Sequence, residues 1–348
     1  VTSTTAAIWG DVWESHWEII YHGIFIPPVI GWAPDDVPFV DALSLIALYN
    51  ATDGDNWGDN TNWITGTTVG DWYGVDLYGG RVDELLLNSN SLNGSLDNWS
   101  APPAARLIRF NTNNGLEGDI STWVWPSAVL YVWLYSTSVS GDISGISWPA
   151  SLKELLLYST DVSGDLSGFV VNRDLQKMIL HHTDVTGSIA GWTFNSELKT
   201  LDLGQTDMTG AMPALPLSTT ILDVANTTVS VDLSTFNFHG AFIRLFATGC
   251  TVTGSPDFSS AALLQYFHVD DCGLSQAAVD AIVSDIYSNR AVFTQSTGPF
   301  LEIGGTNSAP SGVYQYAATP TTGKEMIYAL VNDDDAEGFQ KWTITYTA

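Results

Sequence analysis

A glycine recurs through most of this chain at a fixed interval. Gly118, Gly141, Gly164, Gly187 and Gly210 each follow the last by 23 or 24 residues from Gly94, and Gly254 continues the series. The residues around them share one pattern: LLLNSNSLNGSL at 85–96, VWLYSTSVSGDI at 132–143, LLLYSTDVSGDL at 155–166, MILHHTDVTGSI at 178–189 and LDLGQTDMTGAM at 201–212. Weaker copies are IRFNTNNGLEGDI at 108–120 (one residue longer), LDVANTTVSVDL at 222–233 and LFATGCTVTGSP at 245–256, and a last one, FHVDDCGLS, starts at Phe267. A unit this short cannot bury its own apolar face, so it is stable only when stacked on copies of itself.

The chemistry of each unit is legible. In LLLYST the period of two sends Leu155 and Leu157 to one side and Leu156 to the other. The flanking pair is expected in the core and the middle residue on an exposed sheet face. Asn90, Asn113, Thr137, Thr160, Thr183, Thr206, Thr227, Cys250 and Cys272 share the next column, where a small polar side chain can bond the backbone of a turn. The glycine then permits a tight turn. Cys250 and Cys272 are the only cysteines. They occupy this column one repeat apart, so they read as two buried thiols rather than a disulfide framework.

Charge narrows the partners. Asp and Glu number 38 against 11 Lys and Arg, for a formal net charge of −27. Such a field repels phosphate backbones and argues against nucleic acid. No apolar run reaches transmembrane length, so membrane insertion is not expected. The chain begins with Val and shows neither the basic region nor the apolar core of a signal segment. A removed leader and a removed initiator Met are both compatible with that start.

The pattern LxxLxLxxTxVSGDLSG resembles leucine-rich repeats of the plant-like "SGxIP" type, which also occur in bacterial and phage surface proteins. The preceding stretch, from Ala42–Tyr49 through Trp57, Trp63 and Trp72–Val75, is similar to the N-terminal cap of such proteins, without the paired cysteines of the plant versions. The resemblance spans roughly residues 40–275. It implies an α/β repeat, a right-handed leucine-rich-repeat solenoid with a parallel concave β-sheet and caps at both ends, and an extracellular place on a cell surface or virion. Fold of this kind does not fix function.

Four segments are expected: an aromatic arm at 1–38, a cap at 39–81, the solenoid at 82–274 and a C-terminal α/β cap at 275–348. In the arm Trp9, Trp13, Trp17 and Tyr21 recur every four residues, which lines one helix face, while Trp17, Ile19 and Tyr21 alternate as a strand would. An aromatic arm outside the cap suits self-association. At the other end, Ser275 is placed as the N-cap of a helix with Val279, Ile282, Val283 and Ile286 on one face. Strands near Leu301 and Ile344 are expected to extend the sheet.

Stacked repeats bring Tyr131, Trp133, Tyr135, Leu156, Tyr158, Ile179 and His181 into one concave patch, a candidate site for protein or glycan. Mutual covering across rungs is the plainer reading of the same residues. Asp202 and Asp223 fall on neighbouring rungs, within reach of a retaining glycosidase's carboxylate spacing, but on an open face with nothing evident to raise one pKa. His181 and His182 point to opposite faces, and no metal site is assigned to them. The acidic loops 53–60 and 332–337 are candidates for calcium, though neither has the spacing of an EF-hand. No cofactor is implied. The leading expectation is a non-enzymatic surface or virion structural protein combining self-assembly with partner recognition. The alternatives are a monomeric adhesin or phage receptor-binding module and, with least support, a polysaccharide-cleaving enzyme.

Overall fold

The computed structural model describes residues 34–65, 68–171, 174–294, 298–332 and 339–348, and the backbone of Ile19–Tyr21 and Ile24–Ile26. Each repeat makes one turn of a solenoid. The first part of every turn adds a strand to a twelve-stranded sheet that runs from Val75–Tyr78 to Thr343–Tyr346. Its neighbours are parallel throughout except for the antiparallel pair Val75–Tyr78 and Arg81–Leu86 at the N-terminal end. Leu155 and Leu157 are fully buried, and so are their counterparts Val132 and Leu134, Met178 and Leu180.

Beyond the turn the chain stays extended and forms a second parallel sheet, of eight strands from Asn93–Ser95 to Thr251–Thr253. The repeat pattern did not announce this sheet. Its inward residues, among them Val139, Val162, Val185, Met208 and Val229, are fully buried. Short 3-10 turns such as Ile143–Gly145 and Leu166–Gly168 follow it, so the far side carries 3-10 turns instead of α-helices. Trp99, Trp123, Trp125 and Trp148 then stack along the third side with ring centres 5.1 to 5.3 Å apart, an aromatic spine also absent from the sequence reading.

The Ser-Gly-Asp motif has a physical reason. Gly164 sits at φ 127°, and a Cβ there would run into the carboxylate of Asp142 on the preceding rung. That carboxylate accepts the Ser144 amide at 2.9 Å and so caps its own 3-10 turn, as Asp165 caps the next by accepting from Ser167. The glycine of one rung makes room for the cap of another.

The polar column closes the turn between the sheets. Thr137, Thr160, Thr183, Thr206 and Thr227 each donate a hydroxyl to a carbonyl three residues back, at 2.6 Å. Cys250 and Cys272 instead tie neighbouring rungs, each thiol donating to a carbonyl of the rung before, Val224 O at 2.9 Å and Ala247 O at 3.1 Å. Towards the ends the column holds asparagine. Asn113 accepts from the Asn90 and Leu92 amides and donates to Leu87 O and Phe110 O, all within 3.1 Å. Asn307 makes the matching set with the Cys272 and Leu274 amides and the Val269 and Ile303 carbonyls. The long repeat takes up its extra residue just after Asn113, where pairing with the next rung shifts.

Both ends are closed. Helix α1 (Phe39–Ala51) covers the first rung. Its fully buried Asp41 accepts two bonds from Arg81, at 2.8 and 2.9 Å, and a third from the Val82 amide. Tyr49, Trp57, Trp63 and Trp72 form the aromatic cluster behind it. Helix α2 (Gln276–Ser288) starts at the N-cap Ser275 and buries Val279, Ile282, Val283 and Ile286. Phe300–Ile303 and Thr343–Tyr346 add two parallel strands to the concave sheet, with helix α3 (Gly323–Asn332) between them in sequence. In the arm, Ile19–Tyr21 pairs antiparallel with Ile24–Ile26. This puts Tyr21 on a strand, whereas Trp9, Trp13 and Trp17 lie outside the described residues.

The column predicts unequal losses. Asn113→Ala strands four backbone groups and is expected to cost about 3 kcal/mol or more, while Thr183→Val strands one carbonyl and is expected to cost about 1 kcal/mol. Urea unfolding midpoints of the two variants check this. Equal shifts would remove the asparagine from its role as the stronger tie.

Candidate functional site

The concave face consists of residues two apart along each strand, stacked in register. Arg109, Trp133, Leu156, Ile179, Asp202, Asp223, Phe246 and His268 form the central row, each paired directly with the next. Backbone bonds from Thr112 to Tyr135, Ser136 to Tyr158 and Ser159 to His181 carry the ladder on to a second row. The seven residues proposed from sequence therefore meet on three adjacent rungs.

Their rings are ordered. Tyr135 and Tyr158 stack at 4.3 Å with planes 8° apart, and His181 stacks on Tyr158 at 4.5 Å. Tyr131 meets Trp133 edge-on at 6.5 Å. Arg109, paired with Trp133 in the central row, lies 4.9 Å over the Trp133 ring. The aromatic rings are half-buried, and Leu156 is covered to 8 % exposure. Mutual covering and partial exposure thus hold together. Three buried polar atoms at this patch, Trp133 Nε1, Arg109 Nε and Glu154 Oε2, have no hydrogen-bond partner among the described residues. The other oxygen of Glu154 pairs with Lys177 at 3.1 Å.

The stack ends in acids. His181 Nδ1 hydrogen-bonds the Asp202 carboxylate at 2.7 Å, which raises the imidazole's pKa above its ordinary value. Asp223 on the next rung is pushed up to about 6, first by burial and then by the charge of Asp202. Burial, with Tyr135 beside it, pushes Tyr158 up to about 12, so its phenol keeps its proton. A carboxyl raised beside a second carboxylate is a pattern that hydrolases use. Here, however, Asp202 is taken up by His181 and Gly204, and Asp223 by the Ala225 amide.

The remaining candidates separate clearly. Both thiols are free, and burial raises their pKa values, that of Cys272 to about 12, which leaves them unreactive. His182 is exposed at φ 55°, its ring meeting that of His181 edge-on at 5.4 Å. In the loop 53–60, Asp55 accepts from Tyr49, Asp53 from Asn56 and Asp59 from the Thr61 amide, so the acids that suggested calcium hold the cap's own turn. The loop 332–337 lies outside the described residues apart from Asn332. Glu302 was missed. It stands in the central row next to His268, but helix α2 and its loops separate it from the repeats and hide its register.

Asp223 yields a pH prediction. A carboxyl whose folded pKa is raised costs nothing below its ordinary value of 3.8, and the cost grows as pH climbs to about 6. Asp223→Asn keeps an oxygen for the Ala225 amide and removes the charge. It is expected to stabilise the fold by about 1–2 kcal/mol at pH 7.5, after allowance for solvent screening, and to change little at pH 3.5. Thermal melts at the two pH values check this, and a gain confined to low pH would reverse the assignment.

No protein-family model matches the chain, and no curated protein matches it. Among solved structures, a plant ice-binding protein matches with a TM-score of 0.53 at 18% identity, over 69% of this chain and 81% of that one. A pollen receptor kinase 3 matches at 25% identity and a TM-score of 0.38, over 50% and 85% of the two chains. A plant peptide hormone receptor, RGFR1, solved in complex with RGF2, matches at 17% identity and a TM-score of 0.43, over 64% and 37%. The first likeness shows the fold alone, and with the repeats and sheets described above that fold is a leucine-rich-repeat solenoid.

Proposed function

We propose that this chain is a non-enzymatic recognition solenoid, working outside a cell or on a virion, that binds a protein partner on its concave face. The observation that carries this reading is the ordered, half-buried aromatic patch of Trp133, Tyr135, Tyr158 and His181, with Arg109 over Trp133.

Ring orientation favours protein over glycan. Tyr135, Tyr158 and His181 cover one another's faces, and Arg109 lies over Trp133. The patch therefore presents ring edges and hydroxyls, whereas a sugar platform needs a free ring face. Trp, Tyr and Arg are the residues that dominate protein interfaces. The net charge of −27 would steer a basic partner. Peptide display against the immobilised full chain, beside a glycan array, tests this. Basic peptides are expected to bind, and Trp133→Ala and Tyr158→Ala to weaken them at least tenfold, about 1.4 kcal/mol. Glycan binding lost in the same variants would replace the protein reading. Peptide binding that survives both variants would move the site elsewhere.

Self-assembly is the second role. Phe39 and Val40, where α1 begins, are 45 % and 38 % exposed, and the aromatic arm of Trp9, Trp13, Trp17 and Tyr21 precedes them. Light scattering should find ordered oligomers of the full chain and monomers of a chain beginning at Pro34, which retains Asp41 and its tie to Arg81. Monomers in both cases would end the assembly role and leave the concave face as the functional surface.

A further inference from the structure

The C-terminal end of the concave face brings together three side chains that the repeat does not mark. His268 and Asp270 stand two residues apart on one ladder and so leave it on the same side. Glu302, on the next strand, is the direct neighbour of His268. One ligating atom from each residue lies within 4.8 Å of the other two. His268 Nδ1 and Glu302 Oε2 are 3.4 Å apart. A charge-assisted hydrogen bond would close that gap to about 2.8 Å, as His181 and Asp202 do at 2.7 Å. Ligands about 2.1 Å from a tetrahedral ion, by contrast, stand about 3.4 Å from one another.

The surroundings hold these groups in place. Thr248 Oγ1 donates to Asp270 Oδ1 at 2.7 Å, an outer bond of the kind that orients a ligating carboxylate. Phe246 at 4.8 Å and Tyr266 at 5.9 Å meet the imidazole edge-on. His268 Nε2 is buried without a hydrogen-bond partner among the described residues, so the ring is partly desolvated. Glu302, with 43 % of its side chain exposed, leaves the site open to solvent.

We propose that His268, Asp270 and Glu302 bind one divalent transition-metal ion of the zinc class. Calcium and magnesium prefer all-oxygen sets, whereas an imidazole with two carboxylates suits zinc and its neighbours. Three protein ligands leave a coordination position for water or for a carboxylate of a partner.

Calorimetric titration of the chelator-treated full chain with zinc tests the site, with cobalt as an optical probe. One ion per chain is expected. His268→Ala and Glu302→Gln should each weaken binding at least 100-fold, Thr248→Val should weaken it roughly 10- to 100-fold, and His181→Ala should leave it unchanged. Glu302→Gln is isosteric and half-exposed, so it reports even if His268→Ala unfolds the last rungs. The proposal falls if millimolar zinc gives neither heat nor a thermal shift. It falls equally if binding survives Glu302→Gln or is lost with His181→Ala.

Discussion

The structure depends on how each rung satisfies its backbone at the turn between the two sheets. A carbonyl at the end of the inner strand points into the core, where water cannot reach it, and a buried unpaired carbonyl costs about 1–3 kcal/mol. The threonine hydroxyl three residues later answers it at 2.6 Å in five successive rungs. Because the same bond recurs at the same place, the turn has the same shape every time. Identical turns keep successive strands level, and level strands place residues from distant parts of the sequence in straight rows. The cysteines serve the same column in another way. Each thiol donates to a carbonyl of the preceding rung, and their raised pKa values reflect burial first.

Much of this was legible because the sequence has two superposed periods. The period of two placed Leu155 and Leu157 inside and Leu156 outside. The period of 23 aligns Tyr135, Tyr158 and His181. Other features left weaker marks. The second sheet arises from a stretch such as Asp161–Asp165, five residues with a glycine, where composition gives little sign of a strand and only stacking makes one. The tryptophan spine shifts by a residue or two between repeats, at Trp99, Trp123 and Trp148, so it escapes a fixed-register search. Glu302 escaped for another reason. The chain leaves the solenoid for helix α2 and returns, and strand pairing alone restores its place beside His268. Long insertions break sequence register without breaking spatial register.

Electrostatics gives the concave face a direction. Its middle is aromatic and carries Arg109, Glu154 and Lys177. Toward the C-terminus the central row turns acidic at Asp202 and Asp223 and again at Glu302, with histidines set among the acids at His181 and His268. The two histidines sit in contrasting settings. His181 is bonded to its carboxylate, which raises its pKa, whereas burial lowers that of His268. The same residue type beside a carboxylate thus forms a closed ion pair in one place and an open ligand set in another. The difference is under an ångström of separation, 2.7 against 3.4 Å.

The repeat that is one residue too long has an evolutionary consequence. Its extra residue is absorbed after Asn113, past the concave strand and before the fully buried Leu116 regains the common path. Neither the inner row at Arg109 nor the glycine at 118 is displaced from its neighbours. This corner acts as an expansion joint. Chain length can change there by small insertion, and the recognition face on one side and the packed interior on the other keep their alignment. Such a solenoid can lengthen by whole rungs and acquire loops at its corners independently, so its reach and its local contacts are free to evolve apart.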